Sequence, residues 1–318
     1  MCRHLRTILS LPVFATLAGL LLAPALSAWA QEATQEPDAS DDAEAAESQL
    51  AVENPVADAL AEADALYALR AEGAKDGRAA ADPIAKAVAA YEEAFAEAPE
   101  NLEIAWKLLR AIHYQGDYAT DGREAKQAIF ERGREVMEAT LEHLAERVGG
   151  RESLDELPAD QFAEHFSEPE VARIYFWGAV NWGLWGEVFS KMKAARQGVA
   201  KRLRDYAEIV IALDPGYEDA GGHRLLGRLH TEAPKIPFVT GWINRDTALS
   251  SLREAVEIGP EDPYNRFYLA DALIKFDKKA HAEALEILRQ LETTEPREHK
   301  PVPDAYILRQ ARELLATQ

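Results

Sequence analysis

The chain has 318 residues, a formal net charge of −20, 47% hydrophobic residues and a single cysteine, Cys2. So acidic a surface argues against nucleic acid and anionic lipid, and one cysteine excludes a disulfide framework. Ala, Glu, Leu and Arg dominate and alternating β-branched runs are missing, so the composition predicts an all-α protein.

Residues 1–30 read as a signal peptide: Arg3, His4 and Arg6 precede an apolar run over 8–22, and Ala28-Trp29-Ala30 forms a small-residue cleavage site. Cleavage before Gln31 would remove Cys2, and with Arg3 and Arg6 would take the formal charge from −20 to −22. Cys2 precedes the apolar run instead of following it, so it is not placed to carry a lipid anchor. The expected product is a periplasmic protein with no cysteine and no second long apolar segment to hold it stably in a membrane. Residues 31–54 are rich in acids and lack bases and aromatics, the composition of a disordered linker. The remaining span, 55–318, is long enough for one large domain or one continuous repeat array.

Within it the elements follow in order. Pro55 opens a helix that ends by Gly73, and Asp82-Pro83 cap and start a second that stops at Ala98-Pro99. A third helix over 102–114 is broken by Gly116-Asp117, and a long one over 123–147 is stopped by Gly149-Gly150. Residues 151–167 are irregular, with a short helix over Phe162 and Phe166. Then comes the most apolar stretch, 174–189 (IYFWGAVNWGLWGEVF), in which only Asn181 and Glu187 are polar. Tyr175, Gly178, Trp182, Trp185 and Phe189 share one face and Phe176, Val180, Gly183 and Leu184 the other, so this helix should be buried all round, a central pillar. Gly178, Gly183 and Gly186 each cost about 1 kcal/mol in a helix interior, which predicts close helix approach. It is too short and too polar at Asn181 and Glu187 to span a bilayer. A basic helix over 194–213 follows, with Arg196, Lys201, Arg202 and Arg204 read as a solvated face pairing with acids.

From here the pattern repeats. Second helices end at Pro215, Pro260 and Pro296, steps of 45 and 36 residues, which bracket the roughly 34-residue tetratricopeptide period. Leu226-Gly227, Ala248, Leu252, Ala255 and Pro260 fit its consensus, as do Leu269-Ala270, Ala284, Leu288, Leu291 and Pro296; residues 91–109 form a weaker copy. Small residues at Gly227, Ala248 and Ala255 let paired helices approach while Leu226 and Leu252 fill between pairs. The expected fold is therefore a tetratricopeptide-like helical repeat array of antiparallel helix pairs, superhelical, with a C-terminal capping helix over 303–316 started by Asp304. One connection, 230–243, is longer than a helical turn needs; it carries Pro234, Pro237, Phe238 and Trp242, and long loops often carry function.

No nucleotide-binding, zinc-protease or nucleophile-elbow motif occurs. The histidines beyond the signal (His113, His143, His165, His223, His230, His281, His299) lack tight metal spacing, and His223 and His230 stand two turns apart, too far to share one ion unaided. The sequence predicts no enzyme activity, no cofactor and no metal.

The order of features from Glu124 to Pro260 resembles the TatT family of periplasmic, tetratricopeptide-like proteins associated with TRAP transporters. The matching pieces are Ala128-Ile129-Phe130-Glu131-Arg132-Gly133-Arg134, Ile174-Tyr175-Phe176-Trp177-Gly178 leading to Asn181-Trp182-Gly183, Leu213-Asp214-Pro215, and Gly221-Gly222 before Leu226-Gly227. The resemblance implies a repeat-built protein that works beside a solute-binding protein and has a hydrophobic passage or pocket through its body.

Two functions fit. The first is an exported scaffold that binds another exported protein on its concave face, as an accessory to a solute transport system, with self-association left open. The second is a carrier holding a small apolar or amphipathic ligand beside Tyr175, Trp182 and Trp185, with Asn181 orienting it; Phe238 and Trp242 complete the candidate binding residues. If the 174–189 helix is core alone, Asn181 is instead a buried amide satisfied by backbone.

Overall fold

The computed structural model describes residues 54–318, so the export signal expected over 1–30 and all but Asn54 of the expected acidic linker lie outside the described residues. Among the described residues the protein is all-α, with no β-strand. Helices α1 (Pro55–Ala68), α2 (Ala81–Glu97), α3 (Leu102–Tyr114) and α4 (Arg123–Glu146) each pack on the next. Short α5 (Arg151–Glu156) and α6 (Phe162–His165) lead to α7 (Pro169–Val188), α8 (Lys191–Arg196) and α9 (Val199–Leu213). The chain finishes with α10 (Tyr217–Glu232), α11 (Arg245–Ile258), α12 (Pro263–Phe276), α13 (His281–Glu292) and α14 (Pro301–Ala316), again each packed on its neighbour. No helix among the described residues is long and apolar enough to cross a membrane.

The apolar stretch is indeed buried on both faces: α7 touches α3, α4, α9 and α10. Gly178 lies against Met137 of α4 with no room for a methyl group, whereas a methyl at Gly183 would meet Leu203 at 3.7 Å, ordinary contact. Close approach therefore explains the first glycine and not the second. Glu187, at the end of the stretch, is exposed and pairs with Arg228 of α10 at 3.1 Å.

Three local expectations are corrected. The basic helix is two helices, because Gly198 takes a left-handed conformation (φ 65°) between α8 and α9. The helix before Gly116 does not break there but runs into a π-helical turn, Gln115–Ala119, that carries Asp117 and Tyr118. Neither Asp82 nor Asp304 acts as an N-cap: α2 starts at Ala81 after Ala80, and α14 starts at Pro301, leaving the Asp304 carboxylate free to take Arg297.

One feature had no sequence signal. Glu218, Asp219 and Ala220, at the start of α10, are all left-handed (φ 51°, 56° and 66°), a conformation costing about 1–2 kcal/mol for each non-glycine residue. Partners on α10 itself and on distant elements hold it. Arg224 donates to the Glu218 carbonyl at 3.0 Å, Asn265 Nδ2 to the Asp219 carbonyl at 2.7 Å, and Lys300 pairs with both carboxylates at 2.8 and 3.0 Å.

The helix series also closes on itself. Beyond its packing on α12 and α13, α14 meets the 73–80 loop: the Tyr306 backbone lies 2.7 Å from where a Gly77 side chain would begin, and Arg309 donates to the Asp76 carbonyl at 2.8 Å. Tyr118 and Tyr264 join hydroxyl to hydroxyl at 2.8 Å across the same seam.

Candidate functional site

The six residues expected to bind a ligand or partner fall in three separate places. Asn181 is fully buried, its Nδ2 donating to the carbonyls of Leu109 (2.9 Å) and Trp177 (2.8 Å), and its side chain faces the Cα of Gly133 on α4. The amide ties α7 to α3 where α4 comes closest, its Nδ2 satisfied by backbone and its Oδ1 without a hydrogen-bond partner among the described residues. Trp182 and Trp185 are 1% exposed and pack edge to face 5.5 Å apart; the Trp185 indole donates to Glu131 at 2.7 Å. These three side chains stand inside the helix stack, and none of them lines either of the two clefts described below.

Tyr175 sits elsewhere, packed against Phe162 and Tyr206, at the floor of a cleft of about 410 Å³. The cleft is rimmed by Asp155, Lys201, Arg202 and Asp205, so its mouth is charged, not apolar. Phe238 and Trp242 occupy the long loop after α10. Trp242 lies against His230 and under the Arg204 guanidinium at 4.7 Å, while Phe238 is fully exposed.

A second, more open surface runs over α10, α12 and α14. A groove of about 450 Å³ is lined by Arg228, Tyr268, Asp271, Lys275, Gln310 and Glu313, among others. Its charges come in pairs: Glu187 with Arg228, and Lys275 with both Glu232 at 2.5 Å and Asp271 at 2.8 Å. Arg228 also lies 4.5 Å over the Tyr268 ring. From Tyr268 a chain of rings continues through Tyr264 at 5.9 Å, hydrogen-bonded to Tyr118, which in turn packs 5.4 Å from Tyr306 and 5.5 Å from His113. The spacing of these residues explains the alignment: Tyr264 and Tyr268, like Arg224 and Arg228, are four apart and so share a helix face. Burial pushes the Tyr118 and Tyr264 phenols well above their usual range and Tyr268 upward too, so all three remain neutral donors at ordinary pH. The Tyr118 and Tyr264 hydroxyls are spent on each other and on the Pro303 carbonyl, so a guest in the groove would meet the Tyr268 ring and the paired charges, which suit a polar, extended guest more than a purely apolar one.

Sequence reasoning missed these residues because each is an ordinary tyrosine or arginine on its own helix. The four-residue spacing was the one available signal.

At the inner end of the ring chain His113 is packed between Tyr118 and Trp177, with Asp117 4.0 Å from its Nε2 and Lys126 3.8 Å from Asp117. Burial lowers His113 from 6.5 to about 4. Above pH 6.5 both folded and unfolded states are neutral and the group has no effect. Between 6.5 and about 4 the unfolded chain takes the proton first, so stability falls on acidification and the loss levels off below about 4. Asp117, raised by burial, works in the opposite sense, favouring the fold at low pH. We therefore expect the urea midpoint of His113→Gln to fall less between pH 7 and pH 5 than that of the unaltered protein; equal falls would mean that His113 is not buried neutral.

Among the described residues no three His, Cys, Asp or Glu side chains converge to hold a metal ion. No protein-family model matches the chain, and no curated protein matches it significantly.

Proposed function

We propose that this chain is an exported, periplasmic, tetratricopeptide-like scaffold, not an enzyme, that binds an extended segment of another exported protein along the groove on α10, α12 and α14. The observation that carries the reading is the groove that Arg228 of α10, Tyr268, Asp271 and Lys275 of α12 and Glu313 of α14 line together, with one half-buried ring, Tyr268, beside the charge pairs of Arg228 with Glu187 and of Lys275 with Asp271. A peptide laid across the groove would meet the Tyr268 ring on α12 and polar or charged side chains on α10, α12 and α14.

The repeat reading is supported by packing at the consensus positions. A side chain at Gly227 would begin 2.5 Å from Leu252 Cγ, and Ala248, Ala255, Ala270 and Ala284 are fully buried between helices. Ile307, Leu308 and Ala311 of α14 cover the apolar cluster around Leu288 and Leu291, as a capping helix should. The sequence resemblance to the TatT family supports a solute-binding protein as the partner, and with it an accessory role in TRAP-type transport. The ligand-carrier reading has less to rest on, since Trp182 and Trp185 are sealed and the cleft at Tyr175 has a charged rim.

A photo-crosslinking amino acid placed at Tyr268 in cells should trap a protein-sized adduct, and one at Glu254, on the exposed side of α11, should not. No adduct at Tyr268, together with a co-purified small molecule in native mass spectrometry, would replace the scaffold by the carrier.

A further inference from the structure

The loop over 233–244 presents three apolar side chains to solvent: Phe238 is 107% exposed, Val239 52% and Ile236 39%. It is built, not slack. The Thr240 hydroxyl donates to the Pro234 carbonyl and accepts from the Ile236 amide at 2.8 Å, and the Thr240 amide returns to the Ile236 carbonyl at 2.9 Å. Thr240 and Ile243 are buried, and the Trp242 indole donates to the Val239 carbonyl at 3.2 Å. Phe238 itself is left-handed (φ 64°), an unfavourable conformation for an aromatic residue. The fold therefore holds a phenylalanine away from the protein at a cost, instead of packing it down.

The surroundings of this tip reverse the charge of the molecule. Segments 188–204 and 233–245 carry eight Lys and Arg residues and no Asp or Glu, in a chain of net charge −20. The α9 end of the first segment meets the second, because α9 packs on α10 and Arg204 stacks on Trp242. Some of these cations are paired, Lys201 and Arg204 with Asp205 and Arg245 with Asp246 at 3.5 Å. Among the described residues no carboxylate lies within ion-pair distance of Lys193, Arg196 or Lys235.

We propose that this end of the protein docks on an anionic lipid bilayer, with Phe238, Val239 and Ile236 entering the interface and the surrounding Lys and Arg residues meeting the headgroups. Apolar side chains at a loop tip gain by leaving water for the acyl boundary, and lysines and arginines around them add attraction to anionic lipid near the surface. Trp242, apolar in body and polar at its indole N–H, is suited to the headgroup level. The acidic remainder does not prevent this, since charges more than about 10 Å away are largely screened at moderate salt. The inference is independent of the groove, which faces other elements.

The test is flotation of the purified protein with phosphatidylcholine vesicles and with equimolar phosphatidylcholine and phosphatidylglycerol vesicles. The unaltered protein should float with the anionic vesicles, and Phe238→Asp should lose about tenfold or more in partitioning while melting unchanged, because the removed ring touches little. Lys235→Glu combined with Arg245→Glu should weaken binding to anionic vesicles only, and Phe238→Trp should restore what Phe238→Asp loses. Failure of the unaltered protein to float with either vesicle, or undiminished flotation of Phe238→Asp, would overturn the proposal. So would a dimer in sedimentation that Phe238→Asp converts to monomer without any flotation, since the tip would then be a contact between copies of this chain.

Discussion

Arg297→Ala should be among the most destabilising single changes in this protein, lowering its unfolding free energy by about 3–5 kcal/mol. The guanidinium holds three carboxylates: Nε and Nη2 donate to Asp304 at 2.7 and 2.9 Å, Nη2 to Asp262 at 2.9 Å, and Nη1 to Asp219 at 3.1 Å. Asp262 is 2% exposed and Asp304 1%. Without the Arg297 side chain, Asp262 keeps its N-cap bonds from the Tyr264 and Asn265 amides and Arg224 at 3.6 Å, but Asp304 keeps only the backbone amide of residue 297, and a buried charge stripped of its counter-charge costs far more than an exposed pair is worth. The change also frees Asp219, and with it the left-handed turn that Arg297 and Lys300 restrain. Acid dependence separates this account from simple loss of packing. Burial tends to raise the Asp219 carboxyl, but Lys300 and Arg297 together hold it down to about 2, below its ordinary 3.8. Its contribution is thus present above about 3.8 and lost as pH falls through 2. The deficit of Arg297→Ala, measured by urea unfolding, should be largest at neutral pH and shrink as the solution is acidified through that window. Arg297→Lys should recover only part of it, since one ammonium cannot serve three carboxylates in a fixed fork. A neutral-pH deficit under 1 kcal/mol would mean the network is solvated and of little consequence.

That network also marks where sequence reading reached its limit. The burial of α7 was legible because it depends on local composition: sixteen residues with two polar side chains can only be core. The role of Asn181 was legible only as a pair of alternatives, since choosing between them required knowing that Leu109 and Gly133, on two other helices, stand against it. The left-handed turn at Glu218–Ala220 contains no glycine or asparagine, so nothing local announces it; the residues that hold it, Asn265, Arg297 and Lys300, lie 46 to 82 positions away. The groove is similar. Tyr118 and Tyr264 meet across 146 residues of chain, through a closure of the helix series that no periodicity encodes. Gly198 was the opposite case, a local breaker that was visible but outweighed by the helical pattern on either side of it.

Gly227→Leu and Ala255→Trp should both be severely destabilising, while removing the exposed Glu254 carboxylate should change stability little. At Gly227 the reason is direct contact: a Cβ there would begin 2.5 Å from Leu252 Cγ and 3.2 Å from the Ala248 carbonyl. The Leu252 side chain is fully buried and the Ala248 carbonyl is helix backbone, so neither can step aside without moving α11. At Ala255 the methyl is already fully buried on the same helix, near where Asn265 Nδ2 reaches the Ala255 carbonyl at 2.8 Å. An indole there would part α11 from α12 and break that hydrogen bond as well. Overpacking costs about 1–3 kcal/mol or more per site, and both changes strike the α10–α11–α12 stack that carries the groove. Far-ultraviolet circular dichroism should keep its helical form in both variants while the melting temperature falls, because the helices themselves are not altered. A double variant, Gly227→Leu with Leu252→Ala, gives the sharper reading: if the two residues share one space, the second change recovers stability lost by the first, and the coupling should be favourable. Simple additivity of the two losses would show that α10 and α11 do not meet at this pair, and the register assigned to the repeat would have to shift.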